Sequence, residues 1–264
     1  GGESMSRVFS LLHPLLTAAL SERGWQPTPV QEHVLPDVMG GHDRLVIAPT
    51  GSGKTMAGIL PLFHRCLSEG WSSLSILYIT PLRALNRDVD RRLRELAGAV
   101  GLSVDVRHGD TTQAQRAKQT RKPPNLLVTT PETFQLMFSG KNLRAMLSTV
   151  QAVVVDEVHD LAASERGWQL GVGLSRLEAL TGHRVQRLGL SATVGNPDQV
   201  AHWLSPNKAE PLITTGQRVT ELTVESPTPT AEDEIGAVDT ALSPKQHAAY
   251  RHLCHILRTQ APCL

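Results

Sequence analysis

The stretch that most limits how this chain can fold is Ala48-Pro49-Thr50-Gly51-Ser52-Gly53-Lys54-Thr55, set directly behind the apolar run Leu45-Val46-Ile47. A strand that stops abruptly, a glycine-bearing turn and a Lys-Thr pair opening a helix form the residue order that cradles a polyphosphate. Gly51 and Gly53 let the backbone turn its N–H groups into one concavity, and a helix starting near Lys54 adds the positive end of its dipole. In that arrangement Thr50, Gly51, Ser52, Gly53, Lys54 and Thr55 hold the nucleotide. Lys54 reaches its β- and γ-phosphates, and the Thr55 hydroxyl binds Mg²⁺. Position 48 is Ala where the strict pattern has Gly, so the match is to a variant form. The plainer alternative is a flexible strand-to-helix turn carrying a solvated lysine.

Around this loop the chain alternates short β-rich runs with helical periodicity. Strands are expected at 44–48, 75–80, 103–107, 125–129, 152–156 and 186–191, and helices at 8–20, 54–69, 85–99, 112–119, 133–139, 168–181 and 197–204. Runs such as Ala152-Val153-Val154-Val155 are apolar on both faces, as a parallel sheet covered on both sides demands. The predicted fold is therefore α/β, a doubly wound and mostly parallel sheet with helices on both faces. Ligands of such sheets gather at the carboxyl ends of the strands. The residues just past each strand are thus the ones to inspect.

A second nucleotide element then stands out in Val153-Val154-Val155-Asp156-Glu157-Val158-His159. Asp156, at the end of a buried strand, is placed to hold Mg²⁺, and Glu157 to orient and deprotonate the water that attacks the γ-phosphate. Two acids capping the following helix are the alternative.

With Ala48–Thr55, the run Asp156-Glu157-Val158-His159 resembles the D-E-x-H class of superfamily 2 helicases, and further motifs of that class appear in the expected order. Tyr78-Ile79-Thr80-Pro81-Leu82-Arg83-Ala84-Leu85 resembles motif Ia, Val128-Thr129-Thr130-Pro131-Glu132-Thr133 motif Ib, and Leu190-Ser191-Ala192-Thr193 motif III. Gly109-Asp110-Thr111 is similar to the small element between Ia and Ib. Arg166-Gly167-Trp168-Gln169-Leu170 with Leu174-Ser175-Arg176-Leu177 resembles the segment just after motif II in the large helicase-related (Lhr) family.

The resemblance covers about residues 8–214 and implies the first RecA-like motor domain of such a helicase, using ATP and Mg²⁺. It also implies 3′-to-5′ movement on single-stranded nucleic acid, with DNA favoured over RNA, against a second RecA-like domain of the full-length chain that supplies arginines. Residues 5–215 are then the ATP-binding domain, 216–242 a linker rich in Pro, Thr and acid, and 243–264 the start of the second domain. Such a piece is expected to bind ATP weakly and turn it over little by itself.

The residues that meet nucleic acid on this reading are Pro81, Arg83, Gly109, Thr129 and Thr130. Free N–H groups at helix starts, a guanidinium and hydroxyls grip phosphates without reading bases. Arg83 also belongs to a charged run through Arg87, Arg91, Arg92 and Arg94, which reads equally as a solvated helix face. The basic residues Arg116, Lys118, Arg121 and Lys122 read more simply as a solvated face as well. Ser191 and Thr193 are placed to hydrogen-bond His159 or Asp156. The resemblance makes that link the coupling between nucleotide and nucleic acid, where helix capping by Thr193 is the alternative. Gln31 follows Thr28 and Pro29 at capping-box spacing, while the resemblance makes it the residue that reads adenine. Trp25 is either an adenine stacker or packing.

Charge and cysteines narrow the rest. Lys plus Arg number 26 and Asp plus Glu 25, so attraction to nucleic acid must come from local patches rather than bulk charge. Cys66, Cys254 and Cys263 form no C-x-x-C pair, and His247, His252 and His255 beside Cys254 have no second pair to complete a metal site. With no long apolar run or secretory leader, the expected setting is intracellular and reducing, with no membrane contact. Gly1 to Ser4 before Met5 read as an expression scar. Two other classes share part of the pattern: a phosphate-loop kinase, which needs an arginine-rich lid not evident between the strands, and a noncatalytic nucleotide-gated binding module, which has no need of Glu157.

Overall fold

In the computed structural model, the described residues are 7–81, 84, 87–162, 164–192, 195–206 and the backbone of 210–213. Arg83, Thr193, the expected linker, the expected start of a second domain, and the histidines and cysteines beyond residue 246 lie outside them. Strands β1 (Arg44–Ile47), β2 (Ile76–Ile79), β3 (Val104–Arg107), β4 (Leu126–Thr129), β5 (Ala152–Val155), β6 (Gln186–Ser191) and β7 (Glu210–Ile213) build one sheet. Its order is β3-β4-β2-β5-β6-β1-β7, and every pairing is parallel.

The doubly wound sheet is thus as expected, with one strand more. Residues 210–213 contain Pro211 and lie on the edge beside β1, where a proline costs no ladder bond to an outer neighbour. A short, proline-bearing strand carries too weak a pattern to be read from sequence.

Alternation along the strands divides the core in two. Val46, Ile76, Tyr78, Val128, Val154, Leu188 and Leu190 face one side, under α1 (Pro14–Glu22), α2 (Pro29–Met39), α3 (Lys54–Ser68) and α4 (Arg87–Ala99). Leu45, Ile47, Leu77, Ile79, Val153 and Val155 face the other. That side is covered by α6 (Pro131–Leu136), α7 (Lys141–Leu147), α9 (Glu165–Thr181) and α10 (Pro197–Leu204). Strands buried on both faces expose no polar stripe, which explains their unbroken apolar runs.

Helix starts obey local chemistry. The expected helix at 8–20 is in fact a 3-10 turn at Phe9–Leu11 and then α1. Pro14 has no N–H to continue the first turn but suits the first position of a new helix, and the His13 side chain accepts the Leu15 N–H. Capping boxes open α2 at Thr28 with Gln31 and α5 (Gln113–Arg121) at Thr112 with Gln115. No periodicity in the sequence marks α7 or α8 (Val158–Leu161), both too short to show one. Ser164 caps α9, which begins three residues before the expected start. Among the described residues, no helix is long and apolar enough to cross a membrane.

Candidate functional site

The sheet order places the loops after β1, β6, β5, β2, β4 and β3 side by side along one rim. Five strand spacings of about 4.8 Å separate β1 from β3, so the rim is roughly 24 Å long. Ala48 N–H donates to the Ser191 carbonyl at 3.0 Å, Asp156 N–H to Ile79 at 2.8 Å and Thr80 N–H to Thr129 at 2.9 Å, which zips the strand ends together.

At the β1 end the backbone takes the shape the sequence requires. Gly51 and Gly53 have φ of 80° and 82°, the left-handed region that L side chains avoid. A Cβ at Gly53 would also lie 2.7 Å from Gln31 Nε2. Helix α3 starts at Lys54 without a side-chain cap, so its first amides are left to an anion. Ser52 Oγ is buried with no hydrogen-bond partner. Such an atom costs about 1–3 kcal/mol unless something meets it, and the oxygens of a polyphosphate have the right chemistry.

Lys54 Nζ donates to the Ala48 carbonyl at 3.0 Å. Burial lowers its pKa from the usual lysine value, and the nearby Asp156 and Glu157 carboxylates oppose that fall. The loop lysine and the acidic pair therefore share one electrostatic environment.

The Gln31 side chain completes the capping box and also reaches the phosphate loop. Its Oε1 accepts the Thr28 N–H at 3.1 Å, completing the capping box, while its Nε2 donates to the Gly53 carbonyl at 3.1 Å. Trp25 packs instead against the core, with the Arg92 guanidinium 5.7 Å from its ring centroid. Its backbone N–H donates to the Leu20 carbonyl at 3.1 Å at the end of α1.

At β5, Asp156 Oδ1 accepts the Glu157 N–H at 2.8 Å, and Oδ2 accepts the Tyr78 hydroxyl at 2.7 Å. Glu157 has φ of 50°, a left-handed conformation that costs a non-glycine residue on the order of 1–2 kcal/mol. Tyr78, for which the sequence suggested no role, is buried on β2. Burial first, and then the Asp156 carboxylate, push its phenol well above the ordinary tyrosine value, with Thr55 hydrogen-bonded to it in the opposite sense.

Among the described residues no three His, Cys, Asp or Glu side chains group as a metal cage. One carboxylate and one hydroxyl beside a phosphate loop suit Mg²⁺, which keeps most of its water and takes its remaining oxygens from phosphate. At β6, Ser191 Oγ lies 2.6 Å from His159 Nδ1 of α8. The sequence expectation of a Ser191–His159 contact is met, and Thr193 lies outside the described residues.

The other end of the rim is mixed. Gly109 is exposed and Pro81 half-buried. Thr130 is half-buried too, and its Oγ caps α6 by accepting the Thr133 N–H at 3.2 Å. Thr129 is a correction: its side chain is 1% exposed and its hydroxyl donates to the Arg107 carbonyl at 2.7 Å. Its hydroxyl ties β4 to β3 and is spent there. The arginines of α4 form exposed ion pairs, Arg91 and Arg92 with Asp88 and Arg94 with Asp90, as the solvated-face reading holds. Arg116 is used by its own loop, donating to the His108 and Thr111 carbonyls.

Comparison with known proteins agrees with this layout. The family model of the DEAD/DEAH box helicases matches residues 28–200. The chain is 40% identical over 209 residues to the Lhr helicase/uracil glycosylase of Escherichia coli, covering 71% of this chain and 14% of that protein. It is 37% identical over 213 residues to the ATP-dependent helicase Lhr-Core of Methanothermobacter thermautotrophicus, covering 75% of this chain and 25% of the relative. The chain thus spans a quarter or less of the length of these relatives. The structure of Mycobacterium smegmatis helicase Lhr bound to ssDNA and AMP-PNP superposes with a TM-score of 0.72 at 36% identity, over 80% of this chain and 28% of that one.

Proposed function

Because this chain belongs to the DEAD/DEAH box helicase family, we propose that it is the first motor domain of an ATP-dependent helicase of the Lhr kind, moving on single-stranded nucleic acid with DNA favoured over RNA. The observation that carries this reading is the shared rim. The phosphate loop, the acidic pair and the Ser191–His159 bond stand on adjacent strand ends, in line with Pro81, Thr130 and Gly109.

Lys54 and the loop amides hold the β- and γ-phosphates, and Thr55 and Asp156 hold Mg²⁺, which neutralises charge on the transferring phosphoryl group. Glu157 orients the attacking water and takes its proton. Gln31 spends one donor and one acceptor on the fold. Its carboxamide keeps one of each, the pair that adenine N7 and N6 require. Backbone amides around Gly109 and Thr130 and the Arg83 guanidinium grip the sugar-phosphate backbone, with Pro81, which has no N–H, as a packing surface, and leave base identity unread. Closure against a second RecA-like domain brings arginines to the phosphates, worth on the order of 10³-fold or more in rate. The Ser191–His159 bond transmits that closure across the rim, together with Thr193.

The test is thermodynamic coupling. ATP affinity is measured with and without single-stranded DNA, with RNA as a parallel arm, in the full-length protein and in this chain. The full-length protein is expected to show reciprocal tightening of the two ligands, stronger with DNA, and DNA-stimulated hydrolysis that Glu157→Gln removes while ATP binding stays. This chain alone is expected to bind ATP weakly with little turnover. Equal ATP affinity with and without nucleic acid in the full-length protein overturns the motor reading.

A further inference from the structure

A buried hydroxyl on a central strand needs a partner, because leaving one unsatisfied costs about 1–3 kcal/mol. Tyr78 is 4% exposed, and its partner is a carboxylate on the neighbouring strand. The register explains why the two meet. Tyr78 stands beside Val154 in the β2–β5 ladder, and alternation puts Asp156, two residues on, on the same face as Val154. Helix α3, which Lys54 and Thr55 open, packs on that face as well.

We propose that Tyr78 is a positioning residue that fixes the Asp156 carboxylate, setting the orientation of the oxygens that would meet Mg²⁺ and its water when the nucleotide binds. The geometry gives each group its share. Glu157 N–H holds Asp156 Oδ1 and Tyr78 holds Oδ2, so the carboxylate is pinned at both oxygens and cannot rotate about its last bond. A carboxylate oxygen retains a further lone pair while accepting one hydrogen bond, so a pinned oxygen can still meet a magnesium-bound water. A phenylalanine here would fill the same space and leave Asp156 held at one oxygen.

This inference rests on reading Thr55 and Asp156 as the metal-side groups, so the experiment tests both levels. The binding of a fluorescent ADP analogue to this chain is measured in EDTA and in saturating Mg²⁺, for the unaltered chain, Tyr78→Phe and Asp156→Asn. In Tyr78→Phe the affinity gained on adding Mg²⁺ is expected to fall by about tenfold, the scale of one charge-assisted hydrogen bond. Affinity in EDTA stays within about twofold, since no group on the phosphates has been touched. A Tyr78→Phe chain with an unchanged Mg²⁺ gain overturns the proposal, and so does an equal loss in EDTA and in Mg²⁺, which marks a purely structural role. If Asp156→Asn also keeps the full gain, the metal-side assignment itself fails and takes this inference with it. Loss of the gain in Asp156→Asn but not in Tyr78→Phe refutes the role of the tyrosine alone.

Discussion

The two ends of the rim are held together by different kinds of bond. At the phosphate-loop end the local side-chain bonds, such as Gln31 to Thr28 and Asp156 to Glu157, are joined by ones between residues far apart in the chain: Tyr78 to Asp156, His159 to Ser191, Gln31 to Gly53. At the β3–β4 end most are local, such as Thr130 to Thr133, Thr112 to Gln115 and Arg116 to His108. Thr129 to Arg107 and Gln119 to Val106 are among the longer-range ones. The difference suits the tasks proposed for the two ends. A triphosphate and its metal demand groups fixed from several elements at once, whereas a sugar-phosphate strand needs a row of exposed amides and hydroxyls that each loop can supply for itself.

The strongest way to break the comparison is at Gly167. A Cβ there would lie 1.8 Å from the Leu161 carbonyl oxygen, which is backbone and cannot swing aside. Gly167→Ala is expected to cost about 3 kcal/mol or more, because α9 must back away from α8 and from the His159 it carries. Urea denaturation reads this, and a change below about 1 kcal/mol means that the near end is looser than its bonds imply.

Lys54→Ala comes next. Removing one charge-assisted contact to phosphate is worth about 2 kcal/mol, so ADP affinity is expected to fall roughly 30-fold by calorimetry. Single-stranded DNA binding in the absence of nucleotide should hold. A matching loss of DNA affinity would mean that the two ends are not separable.

Thr112→Ala probes the local kind of bond. Losing the α5 cap should cost about 1 kcal/mol of stability and leave ADP affinity unchanged. An altered ADP affinity would show that the far end reaches across the rim.

The smallest effect is a pH slope from Lys54, whose folded pKa lies below its unfolded value of 10.5. Below its folded pKa the lysine stays charged at a cost in the folded state. Between that pKa and 10.5 the unfolded chain binds more protons than the folded one, so stability should rise with pH across this window. Denaturation of Lys54→Met across the same range should lack that rise, and an identical slope would deny the lysine its desolvated setting.

Much of the site could be read without coordinates because its chemistry is local. The strand, the two glycines and Lys-Thr are contiguous, Thr28 and Gln31 lie three residues apart, and each set encodes a backbone shape within a few residues. Asp156-Glu157 was legible because two acids after four apolar residues have no place in a core. Thr129 misled: a threonine at a strand end looks the same whether its hydroxyl faces solvent or the carbonyl of the next strand. Tyr78 gave no signal, since an aromatic inside an apolar run is what any buried strand contains.

The sequence alone therefore determined the strand–helix alternation, the phosphate loop, the capped helix starts and the identity of the acidic pair, all products of short-range sterics and hydrogen bonding. Only the tertiary structure decided which strands became neighbours. With that came the seating of β6 between β1 and β5, the Tyr78 hydroxyl on Asp156, and the burial of Thr129. The physical reason is that parallel strands meet through crossovers whose length and packing leave no mark at the residues they bring together.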